Sequence, residues 1–103
     1  MRTIKFKVNQ QRIKNVDSVC HVYPGTDNYL NLQFIFDSNW DGCVKAISFV
    51  LDNGQEFPML LKDDACLVPA EAFCSDQLSF YLVGKTKTYR IETQKFVINL
   101  GGQ

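Results

Sequence analysis

Asn39-Trp40-Asp41-Gly42 leads directly into Cys43-Val44-Lys45-Ala46-Ile47-Ser48-Phe49-Val50-Leu51, and the reading of this stretch decides the fold. It holds the only tryptophan, at a turn between two apolar runs. A large ring placed there can close one end of a β core while its N–H finds a carbonyl. Upstream, Leu30, Leu32, Phe34 and Phe36 alternate with Asn31 and Gln33, the pattern of a half-buried strand starting near Tyr29, and Asp37-Ser38-Asn39 breaks it. Downstream, Asp52-Asn53-Gly54 separates 43–51 from Gln55-Glu56-Phe57-Pro58-Met59-Leu60-Leu61. Asn-Gly between apolar runs is a strong hairpin signal because both residues tolerate positive φ, so these two strands should pair antiparallel. Pro58 has no N–H to donate and predicts that the second of them lies at a sheet edge or carries a bulge.

Working outward, Ile4, Phe6 and Val8 alternate with Thr3, Lys5 and Lys7 in an opening strand, and Asn9-Gln10-Gln11 reads as a turn. Arg12 to Val22 reads as a longer, more polar strand with a bend or bulge, and Tyr23 to Asn28, with its Pro24-Gly25, as a reversal. On the other side, Lys62-Asp63-Asp64 is a turn and Ala65 to Val68 a short strand ended by Pro69. Pro69 at a first helical position, followed by Ala70-Glu71-Ala72-Phe73, predicts one helical turn over 69–74. Leu78, Phe80 and Leu82 mark another strand, turned by Gly84-Lys85-Thr86-Lys87; Tyr89 to Glu92 returns, and Phe96, Ile98 and Leu100 mark the last strand. Eight or nine short strands with almost no helix predict an all-β, antiparallel sandwich occupying residues 1–103 as a single domain, since each strand's apolar face leaves water only against a second sheet.

Composition agrees with a folded β domain: 46% of residues are hydrophobic, 13% aromatic and 21% charged. Eleven basic residues balance eleven acidic ones, which argues against nucleic acid or an anionic membrane as partner. The charged alternation of Arg2-Thr3-Ile4-Lys5-Phe6-Lys7 is not a signal-peptide core, so a cytoplasmically made, soluble protein is expected. Cys20, Cys43, Cys66 and Cys74 lack Cys-x-x-Cys spacing and read first as buried thiols, with a disulfide, or a zinc site using His21, as the alternatives.

Chemistry-bearing constellations are few. His21, the single histidine, adjoins Cys20, and adjacent strand residues point to opposite faces, so the two cannot pair. Asp63-Asp64 and Asp37 with Asp41 flank turns, where Asp hydrogen-bonds local backbone; that role is preferred over calcium or acid–base work. The basic groups Arg2, Lys5, Lys7, Arg12, Lys14 and Lys85, Lys87, Arg90, Lys95 read as solvent-face charges that deter edge-to-edge pairing, with Tyr81 and Tyr89 the only aromatics placed to assist a nucleic-acid site.

Taken in order, Leu32-x-Phe34-x-Phe36, Trp40-Asp41-Gly42, Lys45, Phe49, Cys66-Leu67-Val68-Pro69-x-Glu71, Leu78-x-Phe80-x-Leu82-x-Gly84 and Arg90-Ile91-Glu92-Thr93 resemble a small domain of phage and prophage tail, baseplate and fibre-associated proteins. The resemblance spans residues 29 to 100. It implies an immunoglobulin-like β-sandwich that is a structural or protein-interaction module and not an enzyme, with Trp40 and Phe49 in the core. No catalytic, cofactor-binding or metal residue is carried over from it. Its implied partners are proteins: further copies of the chain or other tail subunits or, for a free-standing inhibitor or adaptor built on the same sandwich, a host protein such as a defence-system component. Within such a domain Trp40-Asp41-Gly42 is expected at the corner where the two sheets join.

Overall fold

Strand alternation sorts the side chains into an inner and an outer set, and two sheets close over the inner one. In the computed structural model, residues 2–16, 30–72 and 77–99 are described. One sheet contains β1 (Arg2–Asn9), β2 (Arg12–Asn15), β3 (Leu30–Phe36) and β6 (Ala65–Leu67), in the order β2-β1-β3-β6. The other contains β4 (Val44–Val50), β5 (Glu56–Leu60), β7 (Gln77–Lys85), β8 (Arg90–Glu92) and β9 (Phe96–Asn99), in the order β5-β4-β7, with β8 and β9 both on the far edge of β7. The chain is an all-β sandwich, as its alternation predicts.

Between the sheets lie Ile4, Phe6 and Val8 from β1, Leu30, Leu32 and Phe34 from β3, Ile47 and Phe49 from β4, and Leu78, Phe80 and Leu82 from β7. Phe6 stacks on Phe34 at 5.4 Å and meets Phe80 and Phe96 edge-on at 5.7 and 5.3 Å, so one aromatic cluster spans both sheets. Each such side chain, fully withdrawn from water, contributes about 1.5–3 kcal/mol.

The corner between β3 and β4 is the Trp40 segment, where the chain leaves one sheet and enters the other. Asp37 caps a single 3-10 turn, Ser38–Trp40, by accepting from the Asn39 N–H at 3.0 Å, and its other oxygen accepts from the Gln10 N–H at 2.7 Å. Trp40 is fully buried and donates its indole N–H to the Gln10 carbonyl at 2.8 Å. Ring and carboxylate therefore both hold the tip of the β1–β2 hairpin, where Gln10 sits at φ 56°. The predicted carbonyl partner of the indole is Gln10.

Several expectations need correction. β1 and β3 pair parallel, from Arg2↔Leu30 to Val8↔Phe36, so the sandwich is not wholly antiparallel. Parallel neighbours need a crossover connection instead of a tight hairpin, and in sequence β1 and β3 are separated by β2 and by residues 17–29, which lie outside the described residues. The long second strand is β2 alone within the described residues; Val19 and Val22, like the Pro24-Gly25 reversal, lie outside them. Gly84 and Lys85 do not turn the chain: β7 runs through Lys85, and the turn follows at 86–89, closed by Thr86 N–H to the Tyr89 carbonyl at 2.9 Å. Gly84 lies in the strand because a Cβ there would sit 2.7 Å from two carbons of the Trp40 ring. The helical turn is a 3-10 turn, Ala70–Ala72, and 73–76 lie outside the described residues.

Two further local findings refine the hairpins. The β4–β5 hairpin pairs antiparallel as expected, but only Gly54 takes a positive φ, 84°, at the end of the 52–54 loop. β8 and β9 form one return strand with a bulge: opposite β7 the register slips by one residue between Val83↔Glu92 and Phe80↔Phe96. At the bulge the buried Thr93 both donates its N–H to the Leu82 carbonyl and accepts the Leu82 N–H on its hydroxyl, each at 2.9 Å. The neighbouring Gln94 N–H reaches the Gln11 carbonyl of the opposite sheet at 3.1 Å.

Candidate functional site

Outward-facing apolar side chains concentrate where β5 passes over to β6. β5 is the edge of its sheet, as Pro58 predicts, and β6 the edge of the other, so this side of the sandwich is bounded by two short edge strands. Inward parity takes Phe57 and Met59 into the core and leaves Glu56, Pro58 and Leu60 facing out. Leu60 is 70% exposed and Val44 65%; Leu67 is also exposed.

The connection between the two strands is a two-residue reversal. Lys62 and Ala65 exchange both backbone hydrogen bonds at 3.0 Å, and the residues between them, Asp63 and Asp64, have φ 53° and 58°. Two consecutive positive φ values define a type I′ turn, usually served by Asn-Gly; Asp tolerates that region through its short polar side chain. Asp64 is held there by Lys45, whose ammonium lies 3.2 Å from its carboxylate and 4.9 Å above the Phe36 ring.

Two shallow hollows flank this corner and share Leu60. One, of about 240 Å³, lies among Val44, Lys45, Leu61, Asp63 and Asp64. The other, of about 410 Å³, is lined by Asn31, Met59, Ala65, Cys66, Leu67 and Pro69. The corner thus offers aliphatic side chains in shallow relief beside an acidic turn, a form suited to another protein surface.

Elsewhere on the outer face of the five-stranded sheet, Ser48 and Tyr81 both donate to the same oxygen of Glu56, at 2.8 and 2.5 Å. The tyrosine bond first, and the serine bond second, hold the Glu56 carboxyl below its usual range, while the same bond raises Tyr81. Tyr89 donates to the Asn39 carbonyl at 2.5 Å and accepts a weak bond from the Cys43 thiol at 3.7 Å, which ties the 86–89 turn to the Trp40 corner. Both tyrosine hydroxyls are therefore engaged within the fold.

Of the cysteines, Cys66 is a buried free thiol pushed up to about 11 by burial. Cys43 is free but only half-buried, a correction to its reading as a core thiol; it follows the corner and its side chain faces Tyr89. Cys20, His21 and Cys74 lie outside the described residues. Asp37 performs turn chemistry, and Asp63 and Asp64 form a turn, in line with their sequence setting. Among the described residues, no three His, Cys, Asp or Glu side chains cluster as a metal site, and no helix is long and apolar enough to cross a membrane.

Sequence reasoning missed the exposed corner because an apolar residue in a strand reads as core. The usable signal was Pro58: an edge strand with its N–H-less position turned outward places Leu60, two residues on, on the same outer face. No protein-family model, curated protein or solved structure matches the chain.

Proposed function

We propose that this domain is a non-enzymatic protein-interaction module of the phage or prophage tail and baseplate kind, with an immunoglobulin-like sandwich as its scaffold, and that it docks onto neighbouring subunits through the β5–β6 corner. The observation that carries the docking surface is the grouping of exposed Leu60, Val44 and Leu67 about two shallow hollows at a sandwich edge. Exposed aliphatic side chains grouped in this way mark interaction sites, whereas scattered ones need no explanation. The virion role is supported by the ordered resemblance from Leu32 to Thr93, which includes the buried Trp40 and Phe49.

The test is mass spectrometry of purified particles from a producing strain, together with complementation by Leu60→Asp. Recovery of the chain in particles, and its loss from them with Leu60→Asp while the soluble domain stays folded, is the expected result. A chain never found in particles, monomeric at high concentration and bound instead to a host protein, would overturn the virion reading in favour of an inhibitor or adaptor.

A further inference from the structure

The outer face of the four-stranded sheet is a basic surface in a chain whose formal charge is zero. β2 presents Arg12 and Lys14, and β1 presents Lys5 and Lys7; β3 adds Asn31, Gln33 and Ile35, and β6 adds Ala65 and Leu67. Among the described residues, no Asp or Glu projects from this face. The carboxylate nearest in sequence to its β3 strand, Asp37, is occupied by the backbone N–H groups of Gln10 and Asn39.

Edge protection accounts for Arg12 and Lys14, which lie on the edge strand β2, but not for Lys7. β1 lies between β2 and β3, so Lys7 guards no free edge. It also stands directly opposite Lys14 in the β1–β2 register, and like charges so placed destabilise a strand pair. Lys7 set against Lys14, with Arg12 next along the same face, gains from an anionic partner that relieves the like charges.

Aliphatic side chains are set into the same surface. Ile35 neighbours Lys7 in the parallel register and is 50% exposed. Val16, 49% exposed, follows β2 and donates its N–H to the Lys5 carbonyl.

We propose that this face docks an acidic protein segment, one carrying Asp or Glu interspersed with aliphatic residues, and that Lys7, Arg12 and Lys14 with Ile35 form the contact. A nucleic acid fits less well: among the described residues the face carries no aromatic side chain on which a base could stack, and a phosphate backbone offers nothing apolar to Ile35 or Val16. Asn31, Ala65 and Leu67 border both this face and the β5–β6 corner, but the contact residues Lys7, Arg12, Lys14 and Ile35 lie outside that corner, and the proposal does not depend on the virion reading. It supplies a second partner for the module.

The experiment uses fluorescence anisotropy with three labelled probes: an oligoglutamate peptide, a peptide of the same length in which Leu interrupts the Glu run, and a short DNA duplex. The expected order is Leu-interrupted peptide, then oligoglutamate, then duplex, with binding that weakens as salt rises. Lys7→Glu with Lys14→Glu should weaken peptide binding by more than about tenfold, since reversal sets like charges against the probe. A Lys85→Glu control should leave it unchanged. If the reversal variant fails to fold, Lys7→Gln with Lys14→Gln tests the same contact at lower cost to the sheet. Absence of peptide binding, binding indifferent to both double variants, or a duplex bound more tightly than either peptide would overturn the proposal.

Discussion

Gly84→Ala tests the packing of the Trp40 corner most directly. The position is in β7 and has no positive φ, so alanine meets no backbone objection; what it lacks is room. Its Cβ would lie 2.7 Å from Cε3 and from Cζ3 of Trp40 and 3.2 Å from Cys43 Cβ. The ring cannot step aside freely, because its N–H is bound to the Gln10 carbonyl and Phe36 rests against it at 4.9 Å between centroids. Overpacking of this kind costs about 1–3 kcal/mol. Against it stands the roughly 0.4–1 kcal/mol that Gly→Ala gains by restricting the unfolded chain. A net loss of about 1–2 kcal/mol is expected, read as a fall of more than about 4 °C in Tm. Trp40→Leu opens the space, so the double variant should be less damaged than the two singles added together, by about 1 kcal/mol in a urea-denaturation cycle. An unchanged or raised Tm for Gly84→Ala, or strict additivity in the cycle, would refute the claim that glycine is needed there for space.

Other expectations follow from the same structure. Cys66, raised from 9.0 to about 11, carries about 100-fold less thiolate near neutral pH than an ordinary cysteine, so peptide mapping after iodoacetamide treatment of the native protein should find it alkylated far more slowly than Cys43. Because its folded pKa is raised, its stabilising effect is intact below the unfolded value near 9 and lost as pH climbs through 11; equal labelling of Cys43 and Cys66 would contradict the burial. Tyr81→Phe removes the principal donor to Glu56, so the carboxyl should titrate at higher pH in an NMR titration. Glu56 is depressed in the folded state, so its contribution is present above the normal carboxylate pKa and is lost as pH falls, and the variant should show less of that acid sensitivity. Asp63→Gly relieves a left-handed conformation at a cost in chain entropy, with a net gain of about 0.5–1 kcal/mol in chemical denaturation.

Much of the fold is legible because side-chain period and turn chemistry are local. Ile4-Phe6-Val8 and Leu30 to Phe36 announce their inward faces, Asn53-Gly54 its hairpin, and Pro58 its edge. The parallel pairing of β1 with β3 is not local: it joins partners far apart in sequence, such as Arg2 and Leu30, that no side-chain period or turn residue links. Gly84 misleads because glycine signals either a turn or a close approach, and only the position of Trp40 decides which. The two-residue turn with paired positive φ falls on Asp63-Asp64 and not on Asn53-Gly54, where Leu51 and Gln55 enclose a longer loop and only Gly54 turns left-handed. The candidate corner was the least legible part: Val44 and Leu60 belong to apolar runs, and their exposure follows from strand order alone.

The bulge at Thr93 has a use as a spectroscopic reporter. Most backbone amides in the fold are protected by a neighbour in their own sheet and would exchange with solvent as that sheet frays. The Gln94 amide instead donates to Gln11 across the gap between sheets. Its exchange rate therefore registers separation of the two layers, and comparing it with the Leu82 amide, held within one sheet by Thr93, would distinguish a sandwich that opens like a book from one that unravels strand by strand.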